Sequence, residues 1–310
     1  MPFLIAIPSL IVLYFIFGLI VFFKAFYRKK DLDWLNAKAL EKTPWKAFAK
    51  DIPLFYKWLE DNGAKDVTLT TFDGLKLKGK FVKCENARGT IILMHGFKGN
   101  FASDYGVVFE DYKSFGLNIL AFRQRSHGES EGKYVTFGVK EHKDLLEIIK
   151  YHNQTYGEIP LFISGLSMGA STVLYASNKD LPKNVKALSA DCGFTSPYEI
   201  VLKVVNETLH FNAKFLMWGV NFWCKLIAGF DLKEFNSVEI LKTAKRPILF
   251  IHGTNDELVP VEMTKRAYEA CTSEKQLVLV EGAGHGLSYI LEPQRVKDAF
   301  TNFYEKHIND

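Results

Sequence analysis

An uninterrupted run of uncharged, mostly apolar positions extends from Phe3 to Phe23, 21 residues in all. Because an α-helix rises about 1.5 Å per residue, a helix of this length crosses the roughly 30 Å hydrocarbon layer of a bilayer. A cleaved signal peptide would instead have a basic start, a shorter apolar stretch and a cleavage site of small residues, which the sequence after Phe22 does not offer. The pattern therefore predicts a transmembrane anchor over residues 1–24, with residues 3–23 in the bilayer.

Basic residues gather directly after this run, at Lys24, Arg28, Lys29 and Lys30. Positively charged residues beside a membrane span are enriched on the cytoplasmic side. The sequence therefore predicts a single-pass protein of the cell membrane, with the rest of the chain on the cytoplasmic side. The extracellular side stays open as the alternative, because one short flank decides the orientation.

Two changes of pattern divide the chain after the anchor. Residues 25–65 are basic and carry tryptophans at loose helical spacing, which predicts a juxtamembrane helical linker. From Val67 to Val82, apolar and polar positions alternate around Asp73-Gly74. This alternation predicts a β-hairpin with a tight turn, and with it the start of a globular domain over residues 66–310.

Short apolar segments then alternate with helical patterns. The predicted strands are Thr90–Met94, Asn118–Phe122, Leu161–Ser164, Ala187–Ala190, Pro247–Ile251 and Gln276–Val280. Amphipathic periodicity predicts helices between several of them, such as Val139–Tyr151 and Val261–Cys271. Buried strands that alternate with helices are typical of an α/β fold with a mainly parallel sheet and helices on both faces.

One insertion departs from this alternation. The residues from Ser196 to Phe230 are rich in aromatic side chains and carry no strand pattern. This stretch predicts two helices inserted between strands, and we assign residues 196–235 to a small helical cap.

The composition excludes several classes of function. The chain has 310 residues, of which 48% are hydrophobic and 24% charged, and these values are close to globular averages. Its net charge of +4 is spread over residues of both signs, whereas nucleic-acid binding needs a clustered basic face. The chain has no P-loop or dinucleotide-binding pattern, and its four cysteines lie far apart. We therefore expect no cofactor, no metal and no nucleic acid.

The segment Gly165–Gly169 has the pattern G-x-S-x-G, with Ser167 at its centre, and it directly follows a predicted strand. A serine raised on a tight strand-to-helix turn is crowded, so the residues two positions away must lack bulk. The amino end of the following helix also favours negative charge near that serine. Ser167 is therefore the candidate nucleophile.

A second match to the same pattern, Gly128–Gly132, centres on Ser130. Its neighbours are Glu129 and Glu131, and two carboxylates would oppose a developing alkoxide. No apolar strand leads directly into this serine. The context therefore favours Ser167 over Ser130.

A serine nucleophile needs a base, and the base needs a carboxylate that orients it. His285 lies on a glycine-rich loop directly after the last predicted strand, and Asp256 follows the strand before it. The order Ser, Asp, His is the one described for hydrolases built on this serine motif. Ser167, Asp256 and His285 are therefore the candidate catalytic triad.

Other residues could fill these roles. Asp191, at the end of another predicted strand, is the rival for the carboxylate position. His95, His127 and His252 each precede a glycine at a strand end, and we interpret them as turn and network residues.

These motifs, together with Leu93–Phe97 and Arg123–Gly128, carry a resemblance to a known family. The chain from about Asp66 to Ile308 resembles an α/β-hydrolase, in particular the small single-cap branch of esterases, lipases and acyl-peptidase-like serine hydrolases. The resemblance implies an α/β-hydrolase fold with an eight-stranded type of sheet and makes residues 66–310 the catalytic domain. It also implies an oxyanion hole formed by the backbone N–H groups of Phe97 and Met168.

The residue type at the turn narrows the chemistry. An aspartate in place of Ser167 would indicate epoxide hydrolysis or dehalogenation, so the serine favours acyl transfer to water. We expect a serine hydrolase that cleaves carboxylic esters through an acyl-enzyme, with a small acyl ester or a lipid as substrate. A peptidase or amidase, or a thioesterase, on the same triad stays open. A non-catalytic binding module of the same fold is the alternative from a different functional class. The sequence leaves the oligomeric state open.

Overall fold

A computed structural model describes residues 2–43 and 45–309, with side chains from Ile7 onward, and its centre is an eight-stranded sheet. The strands are β1 (Lys65–Thr70), β2 (Lys76–Val82), β3 (Gly89–Met94), β4 (Leu117–Phe122), β5 (Leu161–Leu166), β6 (Val185–Asp191), β7 (Ile248–Gly253) and β8 (Lys275–Val280). They lie in the order β1-β2-β4-β3-β5-β6-β7-β8. Strand β2 runs antiparallel to β1 and β4, and all other neighbours are parallel.

Thirteen α-helices lie in the described part of the chain. They are α1 (Pro2–Phe26), α2 (Ala37–Leu40), α3 (Ile52–Asp61), α4 (Phe101–Tyr105), α5 (Phe109–Ser114), α6 (Glu141–Tyr156), α7 (Met168–Ala176), α8 (Pro197–Leu209), α9 (Met217–Trp223), α10 (Ser237–Ile240), α11 (Val261–Ala270), α12 (Ser288–Leu291) and α13 (Pro293–His307). A π-helical turn, Cys224–Ala228, continues α9.

The burial of each strand explains its sequence pattern. Strands β3, β4 and β7 are buried at every position and are accordingly apolar nearly throughout. Strand β1 lies at the edge of the sheet, and its apolar residues alternate with exposed polar ones. Asp73-Gly74 lies in the turn between β1 and β2, and Gly74 has a φ of +86°, which glycine adopts without strain. The predicted hairpin is confirmed.

Two apolar cores lie on opposite faces of the sheet. Residues of α4, α5 and α13 pack on one face, and residues of α6, α7 and α11 pack on the other. Adjacent residues of one strand serve different cores: Ile91 belongs to the first and Ile92 to the second. The predicted α/β class, with a mainly parallel sheet covered on both faces, is confirmed.

The insertion between β6 and β7 contains the two helices that its aromatic content predicts, α8 and α9. Together with α1 they form a third apolar core, separate from the two cores of the sheet. Met168, directly after the candidate nucleophile, belongs to this same core. The cap therefore covers the site of the candidate chemistry.

Helix α1 is the only described helix that is long and apolar enough to cross a membrane, and most of it is exposed. It continues past the predicted end of the anchor at residue 24, and its last turns pack into the cap core, where Phe22 and Phe26 are fully buried. Further up the helix, the hydroxyl of Tyr14 donates to the carbonyl of Phe215 at 2.8 Å and accepts from the N–H of Gly219 at 2.9 Å. The apolar run is thus both a candidate membrane span and part of the cap.

Within residues 25–65, predicted as a helical linker, the structure has the short helices α2 and α3 with turns between them. Trp34 and Trp45 pack edge to face within a small cluster, with ring centroids 5.1 Å apart. Pairing of Tyr27 with Tyr134 joins this segment to the main domain directly after α1. The division into anchor, linker and domain stays a prediction.

The crossing of α1 and α9 depends on two glycines, and this can be tested. A Cβ added at Gly18 would lie 2.7 Å from the carbonyl carbon of Gly219, so a larger side chain must push the helices apart. We expect Gly18→Leu to cost about 1–3 kcal/mol of folding free energy. This corresponds to a fall in Tm of about 2–6 °C in detergent-solubilised protein. Val12→Leu, at an exposed position of α1, is the control, and equal Tm values for both variants would contradict the packing.

Candidate active site

Ser167 occupies a turn between β5 and α7 that only glycines on either side permit. Its φ of +55° is rare for a residue with a side chain. A Cβ at Gly169 would lie 1.8 Å from the carbonyl oxygen of Met94, and one at Gly165 would lie 2.3 Å from the carbonyl oxygen of Gly169. The two glycines of the motif are therefore required by the close approach of α7 to β3 and β5.

The structure brings Ser167, His285 and Asp256 into one hydrogen-bonded line. The Nε2 atom of His285 lies 2.9 Å from Oγ of Ser167, and its Nδ1 atom lies 2.7 Å from Oδ2 of Asp256. Each residue follows the carboxyl end of a parallel strand (β5, β7 or β8). Because these strands are parallel, their carboxyl ends lie on the same side of the sheet. Residues 118 positions apart thus come within reach of proton transfer.

The environment of Asp256 keeps it ionised. Its Oδ1 accepts the backbone N–H groups of Leu258 and Val259 at 2.9 and 2.8 Å, and its Oδ2 faces the rings of His252 and His285. Burial alone would raise the pKa of this carboxyl, but the hydrogen bonds from the two histidines and the backbone outweigh burial and hold the pKa well below its usual range. A fixed negative charge therefore stands behind His285.

His252 positions that carboxylate. The histidine is fully buried, with Nε2 at 3.0 Å from Oδ2 of Asp256 and Nδ1 at 2.7 Å from the hydroxyl of Thr264. Sequence reasoning assigned it only a general network role, because nothing in the spacing indicates that β7 carries it to the same oxygen as His285. Its position four residues before Asp256, at the end of a strand, is the signal available in the sequence.

The loop after β3, which carries Phe97, is held by two side chains. The N–H of Gly96 donates to Asp104 at 2.7 Å, and the N–H of Lys98 donates to Nε2 of His127 at 3.1 Å. The loop passes directly beside the serine, since a Cβ at Gly96 would lie 3.4 Å from Cβ of Ser167. Sequence reasoning missed Asp104, whose only local signal is its place in the first turn of the capped helix α4.

The two predicted oxyanion donors lie at this point of the fold. Phe97 is on the loop just described, and Met168 is the first residue of α7, directly after Ser167. Within residues 2–43 and 45–309, neither backbone N–H donates a hydrogen bond. Both amides therefore have a free donor beside the serine.

Neither rival residue takes part in the hydrogen-bonded line of Ser167, His285 and Asp256. Asp191 makes no hydrogen bond to a histidine in the described chain, and its buried Oδ1 has no partner. Burial raises its pKa to about 6, since the nearby charges of His252 and His285 only partly offset the burial. The hydroxyl of Ser130 donates to the carbonyl of Arg123 at 2.5 Å and accepts from the N–H of Lys78 at 2.9 Å, so it braces strand ends.

Donor atoms of Cys192, Asp256 and His285 lie within 4.8 Å of one another, a spacing that a metal ion could use. The oxygens of Asp256, however, already accept hydrogen bonds from two backbone N–H groups and face two imidazoles. Burial raises the pKa of the Cys192 thiol well above its usual value, whereas metal ligation needs the thiolate. These donors fit a hydrogen-bonded network better than a metal site.

An apolar pocket of about 500 Å³ opens beside Ser167 and Met168. Residues of α8 in the cap, of α1 and of the loop of Phe97 line it. Pockets of roughly 300–1,000 Å³ with mostly apolar walls and a few polar groups are typical of small-molecule sites. The site therefore combines the candidate nucleophile, the candidate base and apolar space at one place.

Comparisons with known proteins agree with this fold. Residues 85–215 match the family model described as serine aminopeptidase, S33, and residues 213–306 match the model described as TAP-like protein. The uncharacterised protein YqkD of Bacillus subtilis is 28% identical over 240 residues, 76% of this chain and 77% of its own. The lysophosphatidylserine lipase ABHD12 of Danio rerio is 25% identical over 209 residues, 66% of this chain and 52% of its own. The structure of an esterase of Pyrococcus furiosus has 27% identity and a TM-score of 0.65, over 81% of this chain and 94% of its own.

The raised pKa of Asp191 predicts a pH-dependent gain from its removal. A carboxyl whose folded-state pKa is about 6 instead of 3.8 destabilises the protein fully above pH 6, and this penalty disappears as pH falls to about 4. We expect Asp191→Asn to increase the free energy of unfolding at pH 8 by up to about 3 kcal/mol, measured as a higher Tm. This gain should be lost at pH 4. Asp298→Asn, at an exposed position of α13, is the control. A gain of equal size at both pH values would refute the assignment.

Proposed function

Because this chain is a hydrolase of the α/β-hydrolase superfamily, we propose that it is a membrane-anchored serine hydrolase acting on carboxylic esters through an acyl-enzyme. The observation that carries the proposal is the hydrogen-bonded line from Asp256 through His285 to Ser167. In this proposal Ser167 is the nucleophile, His285 the general base and acid, and Asp256 the carboxylate that orients the imidazole.

The reaction follows from this geometry. The hydroxyl oxygen of Ser167 attacks the ester carbonyl while Nε2 of His285 takes its proton. The tetrahedral intermediate expels the alcohol, which receives that proton from His285, and the acyl group stays on Ser167. A water molecule then repeats the sequence: His285 takes a proton from the water, the oxygen attacks the acyl carbon, and Ser167 leaves with the proton returned.

Two features of the site lower the barrier in this scheme. The ionised Asp256 stabilises the imidazolium that forms at His285 in each half-reaction. The free N–H groups of Phe97 and Met168 supply donors for the oxyanion, and a single donor of this kind is worth about 3–4 kcal/mol of barrier. The oxyanion exists only in the transition state and the intermediate, so these donors raise kcat rather than substrate affinity.

The pocket favours an ester with an apolar acyl group. Its lining beside Ser167 is mostly apolar, and Lys24 and Lys98 are the charged residues in it. Among the similar proteins, one is named as a lipase and one as an esterase, which agrees with an acyl ester or lipid substrate. A peptidase, amidase or thioesterase would use the same triad. A purely binding role is less well supported, because every catalytic role has an occupant.

The membrane assignment belongs to the same proposal. The apolar part of α1 would cross the bilayer once, and the lysines and arginine after it would place the catalytic domain on the cytoplasmic side. The exposed surface of α1 supports a membrane location, because a soluble protein would leave this apolar helix in water.

Replacement of the nucleophile is the first test. We expect Ser167→Ala to lower kcat on p-nitrophenyl butyrate by at least about a thousandfold, because the triad loses its nucleophile. Covalent labelling by a fluorophosphonate should disappear in the same variant. Ser130→Ala, at the centre of the second G-x-S-x-G pattern, is the matched control and should keep both activity and labelling. Parent-like turnover by Ser167→Ala would refute the role of this serine.

Orientation is testable with a single introduced thiol. The four native cysteines are buried, so they should react slowly with a maleimide that cannot cross membranes. Glu158→Cys places a thiol on the exposed loop between α6 and β5. We expect it to be labelled in permeabilised cells and protected in intact cells. Equal labelling in intact cells would place the domain outside.

A further inference from the structure

Helix α1 forms part of the substrate pocket as well as the candidate membrane span. Its residues Phe17, Ile20 and Val21 line the apolar pocket that opens beside Ser167. Residues of α8, among them Val201 and Val205, line the same pocket. An acyl chain bound there would lie against the anchor itself.

The length of the apolar run places this pocket at the level of the bilayer. The part before Tyr14, residues 3–13, covers about 16 Å as a helix, roughly half of the hydrocarbon layer. Crossing the layer therefore requires that the helix from Tyr14 to Phe23, which packs on the cap, is also immersed. On α9 and just before it, Phe215 and Trp218 are each 64% exposed, and both belong to the part of the cap that touches α1. Such an exposed aromatic face suits contact with lipid.

A second pocket, of about 310 Å³, adjoins the first and is basic. Phe97 and Lys98 line both pockets, so the second begins at the loop beside Ser167. It is also lined by Lys29, Lys30 and Lys42.

The charges of this basic pocket are not neutralised within the protein. Among the described residues, none of its four lysines forms an ion pair. The one carboxylate in the lining, Asp31, is paired with Arg123 at 3.1 Å. Burial, together with the charge of Lys29, lowers the pKa of Lys98, as expected for ammonium groups that repel one another. The pocket therefore favours an anion.

We propose, on the basis of the function proposed above, that the substrate is a membrane acyl lipid with an anionic headgroup that enters from the bilayer. Its acyl chain lies in the apolar pocket against α1, and its headgroup lies in the pocket of Lys29, Lys30, Lys42 and Lys98. The ester bond then falls between the pockets, at Phe97 and Ser167. Both pockets are needed, because the apolar pocket selects for an acyl chain and the basic pocket selects for a negatively charged headgroup.

Attraction of the whole protein to an anionic membrane surface would also use these lysines. The two roles differ in geometry. Surface attraction requires only charges that face the membrane, whereas these lysines line a cavity that reaches the residues beside the nucleophile. The experiment must therefore separate the headgroup of the substrate from the charge of the surface.

The test compares three substrates with the same oleoyl chain, presented to the full-length protein at equal mole fraction in uncharged detergent micelles. They are lysophosphatidylglycerol, which is anionic, lysophosphatidylcholine, which is zwitterionic, and monoolein, which is uncharged. We expect kcat/KM for the anionic lipid to exceed that for each of the others at least tenfold. The double variant Lys29→Gln/Lys42→Gln should lower this preference at least fivefold, mainly through KM. Lys83→Gln, at an exposed position outside both pockets, is the control.

The outcomes separate the two proposals. If p-nitrophenyl butyrate is cleaved in a Ser167-dependent manner but the anionic lipid is not preferred, the substrate assignment is wrong and the hydrolase proposal stands. If no ester is cleaved and no fluorophosphonate adduct forms, both fail. A third arm adds phosphatidylglycerol to the micelles. If this addition raises monoolein hydrolysis as much as the anionic headgroup does, the lysines bind the surface and not the substrate.

The role of α1 as a wall is tested by filling the pocket. We expect Val21→Trp to lower the ratio of activity on oleoyl to butyryl esters at least tenfold, because the added indole occupies the space of the distal chain. Leu13→Trp, at an exposed position of the same helix, should leave the ratio unchanged. A thermal transition like that of the parent shows that Val21→Trp is folded. Equal loss on long and short esters, or no loss at all, would contradict a wall formed by α1.

Discussion

The hydrogen bonds that join Asp256, His285 and Ser167 depend on one geometric constraint: three strands must end at the same edge of a parallel sheet. Strands β5, β7 and β8 meet this condition because crossover helices return the chain to the opposite edge before each of them begins. The turn at Ser167 adds a second requirement, since α7 approaches β3 so closely that Gly169 has no space for a side chain. Sheet topology and backbone packing thus determine where the site lies in the fold, and the side chains then supply its chemistry.

Around this line, the protein controls charge by burial and by hydrogen bonding. Asp256 receives enough hydrogen bonds to stay ionised although it is buried, whereas the nearby Asp191 lacks them and has a pKa of about 6. His95 and His127, which support the neighbouring loops, have lowered pKa values because burial disfavours the imidazolium. The carboxylate that stays ionised over the wider pH range therefore lies behind His285, where an imidazolium would form.

The N-terminal helix gives the molecule its distinctive organisation. A span that served only as an anchor would need no contact with the catalytic domain, but α1 crosses α9 at Gly18 and Gly219 and ends in the cap core. Trp223 donates a further hydrogen bond to the carbonyl of Phe15 at 2.8 Å. The same helix lines the pocket beside Ser167. The candidate membrane span and the candidate active site are thus joined through one element, which would give a lipid a lateral route to the pocket.

The sequence by itself determined what depends on local patterns. Periodicity of two and of 3.6 predicted the strands and several of the helices, since a strand buried on both faces must be apolar throughout. The glycines around Ser167 predicted the turn, because only glycine tolerates that crowding. The same local reasoning predicted a helical linker for residues 25–65 but not its division into α2, α3 and turns, because the packing of Trp34 against Trp45 depends on how the chain folds back.

Only the tertiary structure decided which distant residues share a neighbour. That His252 and His285 face the same oxygen of Asp256, and that Asp104 holds the loop of Phe97, depends on side chains from separate elements meeting in space. The packing of α1 on the cap is of the same kind, since the run Phe3–Phe23 indicates a membrane span but not what touches it. The hydrophobic pattern of the sequence specifies which residues are buried. The fold of the chain decides which other residues each buried side chain contacts.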